Sequence, residues 1–203
     1  MIAGVDEAGR GSVIGPLVIA LAEIPESKLS LLTEIGVKDS KLLKRNKRKE
    51  IMERVKGIAK FYYEVFDAHE IVNFMKLKSL NQLELEGMAT LSNTTNSEKI
   101  IIDCPSAGIP SFSKDINCLL NNPKTLIIEH KADLNHSIVA LASIAAKEKR
   151  EDLIDVLKEK FGDFGSGYPA DPKAKAYLTD NPEISIVRTN WSTWKNRFQT
   201  RLE

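Results

Sequence analysis

Two cysteines in 203 residues, Cys104 and Cys118, form neither a disulfide framework nor a metal-ligand spacing, and they fit reduced thiols. Nowhere does the chain hold about 18 consecutive apolar residues, so no membrane span is expected. Its start lacks a basic region followed by an apolar core and a cleavage site. Secretion is therefore not expected, and a cytoplasmic location is. No Gly-Lys-Ser/Thr follows a glycine-rich turn and no Gly-x-Gly-x-x-Gly occurs, which excludes a P-loop and a dinucleotide fingerprint. Repeats and low-complexity segments are missing too. A net charge of only +1 means that the molecule as a whole is no electrostatic trap for nucleic acid.

What is present describes a globular domain, with 42% hydrophobic and 28% charged residues. The length suits one domain with a small appendage. Charge is distributed unevenly. Lys38, Lys41, Lys44, Arg45, Lys47, Arg48 and Lys49 crowd one short stretch, and Arg188, Lys195, Arg197 and Arg201 gather near the end. Both a phosphate-holding patch and a solvated helix face produce such runs.

Residues 2–6 and 13–24 read as strands joined by a glycine-rich turn, a connection short enough for a hairpin. Residues 41–57 have helical spacing, with Ser40 as N-cap, Leu42, Leu43, Ile51, Val55 and Ile58 inward and the basic residues outward. Strands are expected at 59–66, 99–103 and 125–129. Helices are expected at 68–76, 79–97 and 113–121, with a long one over about 135–160. Three β-rich runs followed by alternating strands and helices give an α/β layered fold with a mixed sheet.

The chain is organised around its first sixteen residues. Ile2–Val5 delivers two adjacent carboxylates, Asp6 and Glu7, and Ala8-Gly9-Arg10-Gly11 follows, two glycines flanking a guanidinium. Carboxylates at a buried strand end need a cation or hydrogen bonds, and glycine lets a backbone approach a ligand closely. The combination suits a metal site beside a phosphate backbone, although a plain strand end entering a turn has the same residues. Neighbours on a strand point to opposite faces, so either the strand bends at Ala8-Gly9 or Glu7 reaches over its end. Asp103 closes a second short strand, where it could share an ion with Asp6 or serve as a turn aspartate. Asp133 precedes the long helix and could cap it or join the acids.

Asp6-Glu7-Ala8-Gly9-Arg10-Gly11 with Gly15-Pro16 resembles the opening of ribonuclease HII, the type 2 ribonuclease H of archaea and bacteria. Ile102-Asp103-Cys104-Pro105 is similar to that family's second acidic motif. Lys131-Ala132-Asp133 with Ala142-Ser143-Ile144-Ala145-Ala146-Lys147 is similar to its third. Asp39-Ser40-Lys41 resembles its Asp-Ser-Lys motif, and Gly162–Pro172 resembles the glycine-tyrosine segment of archaeal members. The resemblance departs at His136-Ser137, where Tyr-Pro is common, and at Leu141 and Ala145, which leaves the placement of Asp133 open. His136, three residues beyond Asp133, reads as a surface or helix-start histidine rather than a proton shuttle.

The resemblance implies a ribonuclease H-like mixed sheet flanked by helices, with residues 1–172 as the catalytic domain and 173–203 as a helical C-terminal extension. It implies Asp6, Glu7, Asp103 and Asp133 as catalytic and metal-binding acids. Mg²⁺ or Mn²⁺ suits an all-carboxylate set, with a two-metal mechanism in view. Substrate contacts fall to Gly9, Arg10, Gly11, Lys41, Lys147 and Tyr168, the first three sensing a 2′-hydroxyl and Tyr168 stacking on the neighbouring deoxyribose. Lys41 and Lys147 read equally as exposed helix lysines, and Tyr168 as a turn aromatic. Trp191 and Trp194, three apart, suit packing onto the body, while Lys195, Arg197 and Arg201 could clamp a duplex. The implied activity is cleavage of RNA in RNA–DNA hybrids and at single ribonucleotides in DNA, by a monomer, leaving a 5′-phosphate and a 3′-hydroxyl. A non-catalytic hybrid-binding protein on this fold would lack one of the acids, and all four are present. A phosphatase of unrelated α/β fold would want a small-molecule pocket.

Overall fold

The computed structural model describes residues 1–37, 43–182 and 184–198. Five strands form one mixed sheet in the order β3-β2-β1-β4-β5. They are β1 (Ile2–Ala8), β2 (Leu17–Ile24), β3 (Lys60–Phe66), β4 (Lys99–Asp103) and β5 (Thr125–Glu129). β4 runs parallel to β1, with Val5 beside Ile102, and β5 runs parallel to β4, with Asp103 beside Glu129. The helices described are α1 (Leu29–Ile35), α2 (Arg45–Arg54), α3 (Ala68–Phe74), α4 (Leu80–Thr94), α5 (Ile109–Leu119), α6 (Ala132–Asn135), α7 (Ser137–Phe161), α8 (Pro172–Asp180) and α9 (Ser192–Phe198). None of them is long and apolar enough to cross a membrane.

The expected order of elements is found, with local corrections. β2 begins at Leu17 rather than 13. The amides of Val13 and Ile14 both donate to the Gly167 carbonyl, at 2.9 and 3.1 Å, and Ile14 bridges Val187 instead of extending the strand. α5 starts at Ile109 rather than 113, because Pro110 suits a first helical turn, where its missing N–H costs nothing. The long helix is interrupted before it starts, since His136 has extended backbone and separates α6 from α7. α2 starts at Arg45; Ser40 and the Asp39-Ser40-Lys41 motif lie outside the described residues. Its basic residues do not all face outward. Arg48 is buried, donating Nε to Glu148 at 2.6 Å and Nη1 to the Leu43 carbonyl at 2.8 Å.

The chain divides into two compact units. The first comprises Met1–Ala8, Ile19–Glu64 and Glu84–Glu148, and the second Gly9–Val18, Val65–Leu83 and Lys149–Glu203. The core of the first unit joins Ile2, Ile24, Leu32, Ile51 and Ile101 to the buried start of α7, Ile138–Ala142 and Ile144. In the second unit Val13, Ile14, Ile154, Phe164, Leu178 and Val187 form a separate cluster, with Trp191 and Trp194 packed against it. Both tryptophans are thus in the packing role expected of them.

One contact fixes α7 against the sheet. A Cβ added at Gly4 would stand 2.5 Å from the carbonyl carbon and oxygen of Ile138 and 2.7 Å from the Val139 amide nitrogen. The helix backbone therefore rests directly on β1 at a position where any side chain would intrude. Along β1, Asp6 shares the face of Gly4, about 6.6 Å further on. Along α7, Ser143 lies five residues past Ile138, about 7.5 Å further on. The two advances match, and they set Ser143 beside Asp6. Gly4→Ala should therefore destabilise the fold by about 1–3 kcal/mol, the range for an overpacked core site. The chemical-denaturation midpoint measures this, and an unchanged midpoint would mean that helix and strand are not in tight contact.

Candidate active site

In the first unit Asp6 feels the charges of Asp103 and Asp133. The parallel register that pairs Val5 with Ile102 brings Asp6 next to Asp103 one step later, and Asp103 in turn pairs with Glu129. Strand neighbours lie about 4.8 Å apart and partners in register share a face, so these carboxylates form one row. Asp133 comes in from the side. The Asp103 Oδ1 accepts the Ala132 amide at 3.1 Å, which ties the start of α6 to the end of β4. Lys131, just before it, has φ 57, a left-handed backbone uncommon outside glycine and costing about 1–3 kcal/mol where it occurs. This turn swings Asp133 into the first turn of α6, where it is buried. Asp133 does not cap the long helix, which starts at Ser137.

Asp6 is the most constrained of the set. Its side chain is buried, its Oδ1 accepts the Glu7 amide at 2.7 Å, and the Ser143 hydroxyl hydrogen-bonds to it. Burial, reinforced by the charges of Asp103 and Asp133, nevertheless pushes its carboxyl up to about 7 from the usual 3.8. The two hydrogen bonds pull the other way and lose. Glu7 behaves differently. β1 stays extended through Ala8, and the bend comes at Gly9, with φ 89. Strand alternation then sends Glu7 away from Asp6, and its charge is felt at Cys104, next to Asp103. Burial is the chief cause of the raised Cys104 thiol.

Oxygen donors without histidine or cysteine suit a hard divalent cation. Among the described residues no three histidine, cysteine or acidic side chains already stand close enough to hold an ion. Mg²⁺ keeps several waters and takes one or two carboxylates plus substrate phosphates rather than a closed protein cage. The mutual repulsion at Asp6 is the cost a cation would remove.

The expected substrate contacts fall in the second unit, apart from two. Lys147 sits on α7 in the first unit, partly buried, and Lys41 lies outside the described residues. Gly9 needs to be glycine for an internal reason: besides its positive φ, a Cβ there would collide with the Arg150 side chain and the Pro16 carbonyl. Gly11, by contrast, faces open space. Arg10 donates Nη2 to Asn81 Oδ1 at 2.7 Å, so its guanidinium is held to the protein. Tyr168 is 37% exposed, on a loop pinned where Asp171 accepts the Ser166 amide at 2.7 Å. Arg188, read as part of either a phosphate-holding patch or a solvated helix face, is fully buried instead. Lys195 is exposed, whereas the side chains of Arg197 and Arg201 lie outside the described residues.

Sequence reasoning missed Glu129, whose Oε2 lies 3.1 Å from His136 Nε2 and 3.2 Å from Asn135 Nδ2. It also missed Ser143 and Arg150 as partners. Strand register would have flagged Glu129, since β5 ends in step with β4.

The raised Asp6 carboxyl has a consequence for stability. The unfolded chain loses this proton near pH 3.8 and the native chain near pH 7. Between those values the native state holds the extra proton, so stability falls as pH rises through that window in the absence of divalent cations. Asp6→Asn should flatten this slope. Urea midpoints at several pH values in chelator test it, and parallel wild-type and Asp6→Asn curves would show that Asp6 is not perturbed.

The sequence model of ribonuclease HII matches residues 3–194. The ribonuclease HII of Methanococcus maripaludis is 42% identical, over 97% of this chain and 86% of its own length. That of Pyrococcus furiosus is 39% identical, over 95% and 88%. Among solved structures, the ribonuclease H2 of Pyrococcus horikoshii superposes with a TM-score of 0.87 at 39% identity, covering 98% of both chains. The ribonuclease HII solved in a complex with PCNA from Archaeoglobus fulgidus gives 0.87 at 36% identity, covering 95% of each. A match from the first strand to the last helix, in sequence and in fold alike, means that the chain belongs to the ribonuclease HII family of RNA-cleaving enzymes.

Proposed function

We propose that this protein is a divalent-metal-dependent endonuclease that hydrolyses the RNA strand of RNA–DNA hybrids and also incises duplex DNA at single embedded ribonucleotides. The observation that carries the reading is the placement of the buried Asp6, which the β1–β4 register sets beside Asp103 and which also feels the charge of Asp133. A structural core would gain nothing from that repulsion, whereas a cation site uses it. Asp6, Asp103 and Asp133 would hold Mg²⁺ or Mn²⁺, and Glu7, which strand alternation turns away from Asp6, would have to reach over the strand end to join them. The family, whose members are named as ribonucleases, supports RNA as the substrate.

When bound, such ions supply activation of a water and stabilisation of the leaving oxygen, and leave a 5′-phosphate and a 3′-hydroxyl. The chain's own residues do the rest. Ser143 and the Glu7 amide orient the Asp6 carboxylate, and the Ala132 amide fixes that of Asp103. Gly11, with open space around it, offers backbone to a 2′-hydroxyl, the group that separates RNA from DNA. The half-exposed Tyr168 ring presses on the deoxyribose beside it. Lys41 and Lys147 contribute phosphate contacts.

Cleavage of a duplex carrying one ribonucleotide, with and without Mg²⁺ or Mn²⁺, tests the activity directly. Asp6→Asn and Asp103→Asn should each abolish turnover while hybrid binding persists; near wild-type turnover at saturating metal would remove either residue from the site. Asp133→Asn separates two roles. A first-turn aspartate that only favours the start of α6 should lose little as asparagine, whereas a metal or water ligand should lose orders of magnitude in rate with little change in melting temperature.

Tyr168→Ala should slow cleavage at a single embedded ribonucleotide roughly ten- to a hundredfold more than within a long hybrid, the value of about one stacked contact. Tyr168→Phe should keep most activity, because the ring rather than the hydroxyl is used. Equal losses of Tyr168→Ala on the two substrates would leave Tyr168 a turn residue.

A further inference from the structure

The second unit buries two guanidinium groups that form no ion pair among the described residues. Arg150 is 5% exposed and Arg188 0%. Arg150 donates Nε to the Pro16 carbonyl at 3.1 Å, and Nη2 to the carbonyls of Ile14 at 3.4 Å and Ser166 at 3.3 Å. Arg188 donates Nε to the Gly15 carbonyl at 3.0 Å and Nη1 to that of Arg10 at 3.2 Å. Among the described residues all their hydrogen bonds go to backbone carbonyls, and neither takes part in an ion pair. Burial lowers both, Arg188 to about 9, with the charge of Arg150 adding to the effect. Holding carbonyls alone does not call for two mutually repelling cations in a dry site, since neutral donors would do so at smaller desolvation cost.

Arg150 is distinguished by what its plane touches. Its guanidinium lies 4.8 Å over the Tyr168 ring, and its hydrogen bonds reach both the Gly9–Pro16 loop and Ser166, two residues before that ring. The same side chain fills the space a Cβ at Gly9 would need. A second link joins the loops directly, the Val13 and Ile14 amides on the Gly167 carbonyl. A flat fork with several donors can bridge two loops and stack on a ring at once, which a lysine ammonium cannot.

We infer that Arg150 is a positioning residue for junction recognition, fixing the Tyr168 ring relative to the glycine loop and thereby setting the preference for a ribonucleotide followed by DNA. This rests on the reading of Tyr168 given above. The quantity to measure is the ratio of kcat/KM on a duplex with one embedded ribonucleotide to kcat/KM on a long RNA–DNA hybrid. Arg150→Lys keeps the charge and loses the plane. It should lower the ratio roughly ten- to a hundredfold, as a displacement of about an ångström does, with the loss in kcat for the junction substrate and KM little changed. In the Tyr168→Ala background Arg150→Lys should change the ratio no further.

If Arg150→Lys leaves the ratio intact while Tyr168→Ala lowers it, the inference is wrong and the Tyr168 reading stands. If neither changes the ratio although the long hybrid is still cleaved, the Tyr168 reading fails and this inference fails with it. Equal losses on both substrates would make Arg150 a structural residue and also overturn it. Should Arg150→Lys not fold, as judged by circular dichroism, Arg150→Gln replaces it with the same expected results, since its amide keeps a donor to the loop carbonyls.

Discussion

A carboxyl group forced to sit dry beside two others is the constraint on which the first unit depends. Asp6 is buried at the end of β1, and the groups that favour its ionised form do not offset the ones that oppose it. The surrounding structure makes sense as the means of holding this arrangement. Parallel pairing of β1 with β4 brings Asp103 alongside. The Ala132 amide anchors the turn that carries Asp133, and Lys131 takes a left-handed backbone so that this turn can be made. Gly4 lets α7 rest on β1 so that Ser143 reaches Asp6. Each feature costs something locally: backbone strain, a missing side chain, a desolvated charge. A fold selected for stability alone would dispense with them, and a cation between the carboxylates, as proposed above, would give them a common use.

The second unit handles the opposite charge by the opposite means. Its buried cations, Arg150 and Arg188, donate to backbone carbonyls rather than to acids beneath the glycine loop. The same donors turn the carbonyls of residues 10 and 14–16 inward, so the loop's shape is imposed from within, and Gly9 is glycine to make room for Arg150 as well as for its φ.

Much of this was legible in the sequence, and the reason differs from residue to residue. Order and type of elements followed from apolar runs and their period, because β1 and β4 are short and largely buried and β5 is a short apolar run beside them. Asp6 and Asp103 could be paired because both end such strands. Boundaries slipped where tertiary contacts overrode local pattern: Val13 and Ile14 have the composition of a strand but spend their amides on Gly167. Asp133 stayed ambiguous because a break at His136 has no local signal strong enough to stop a helix. Arg48 and Arg188 were misplaced for a common reason. Basic residues are read as surface by default, and only the fold reveals a Glu148 or a set of carbonyls waiting inside. Arg150 was invisible as a partner, since nothing local announces that its plane will meet a ring eighteen positions on.

The central claim is that Asp6 stays protonated for want of a cation and gives up its proton to one. Calorimetric titration with Mn²⁺ at pH 6, repeated in buffers of different ionisation enthalpy, counts the protons released on binding. Release approaching one proton is expected for the wild type, falling away as pH is raised past 7 and missing in Asp6→Asn. Binding without proton release at pH 6 would contradict the claim, showing that Asp6 is already ionised and that the acids are not held in mutual repulsion.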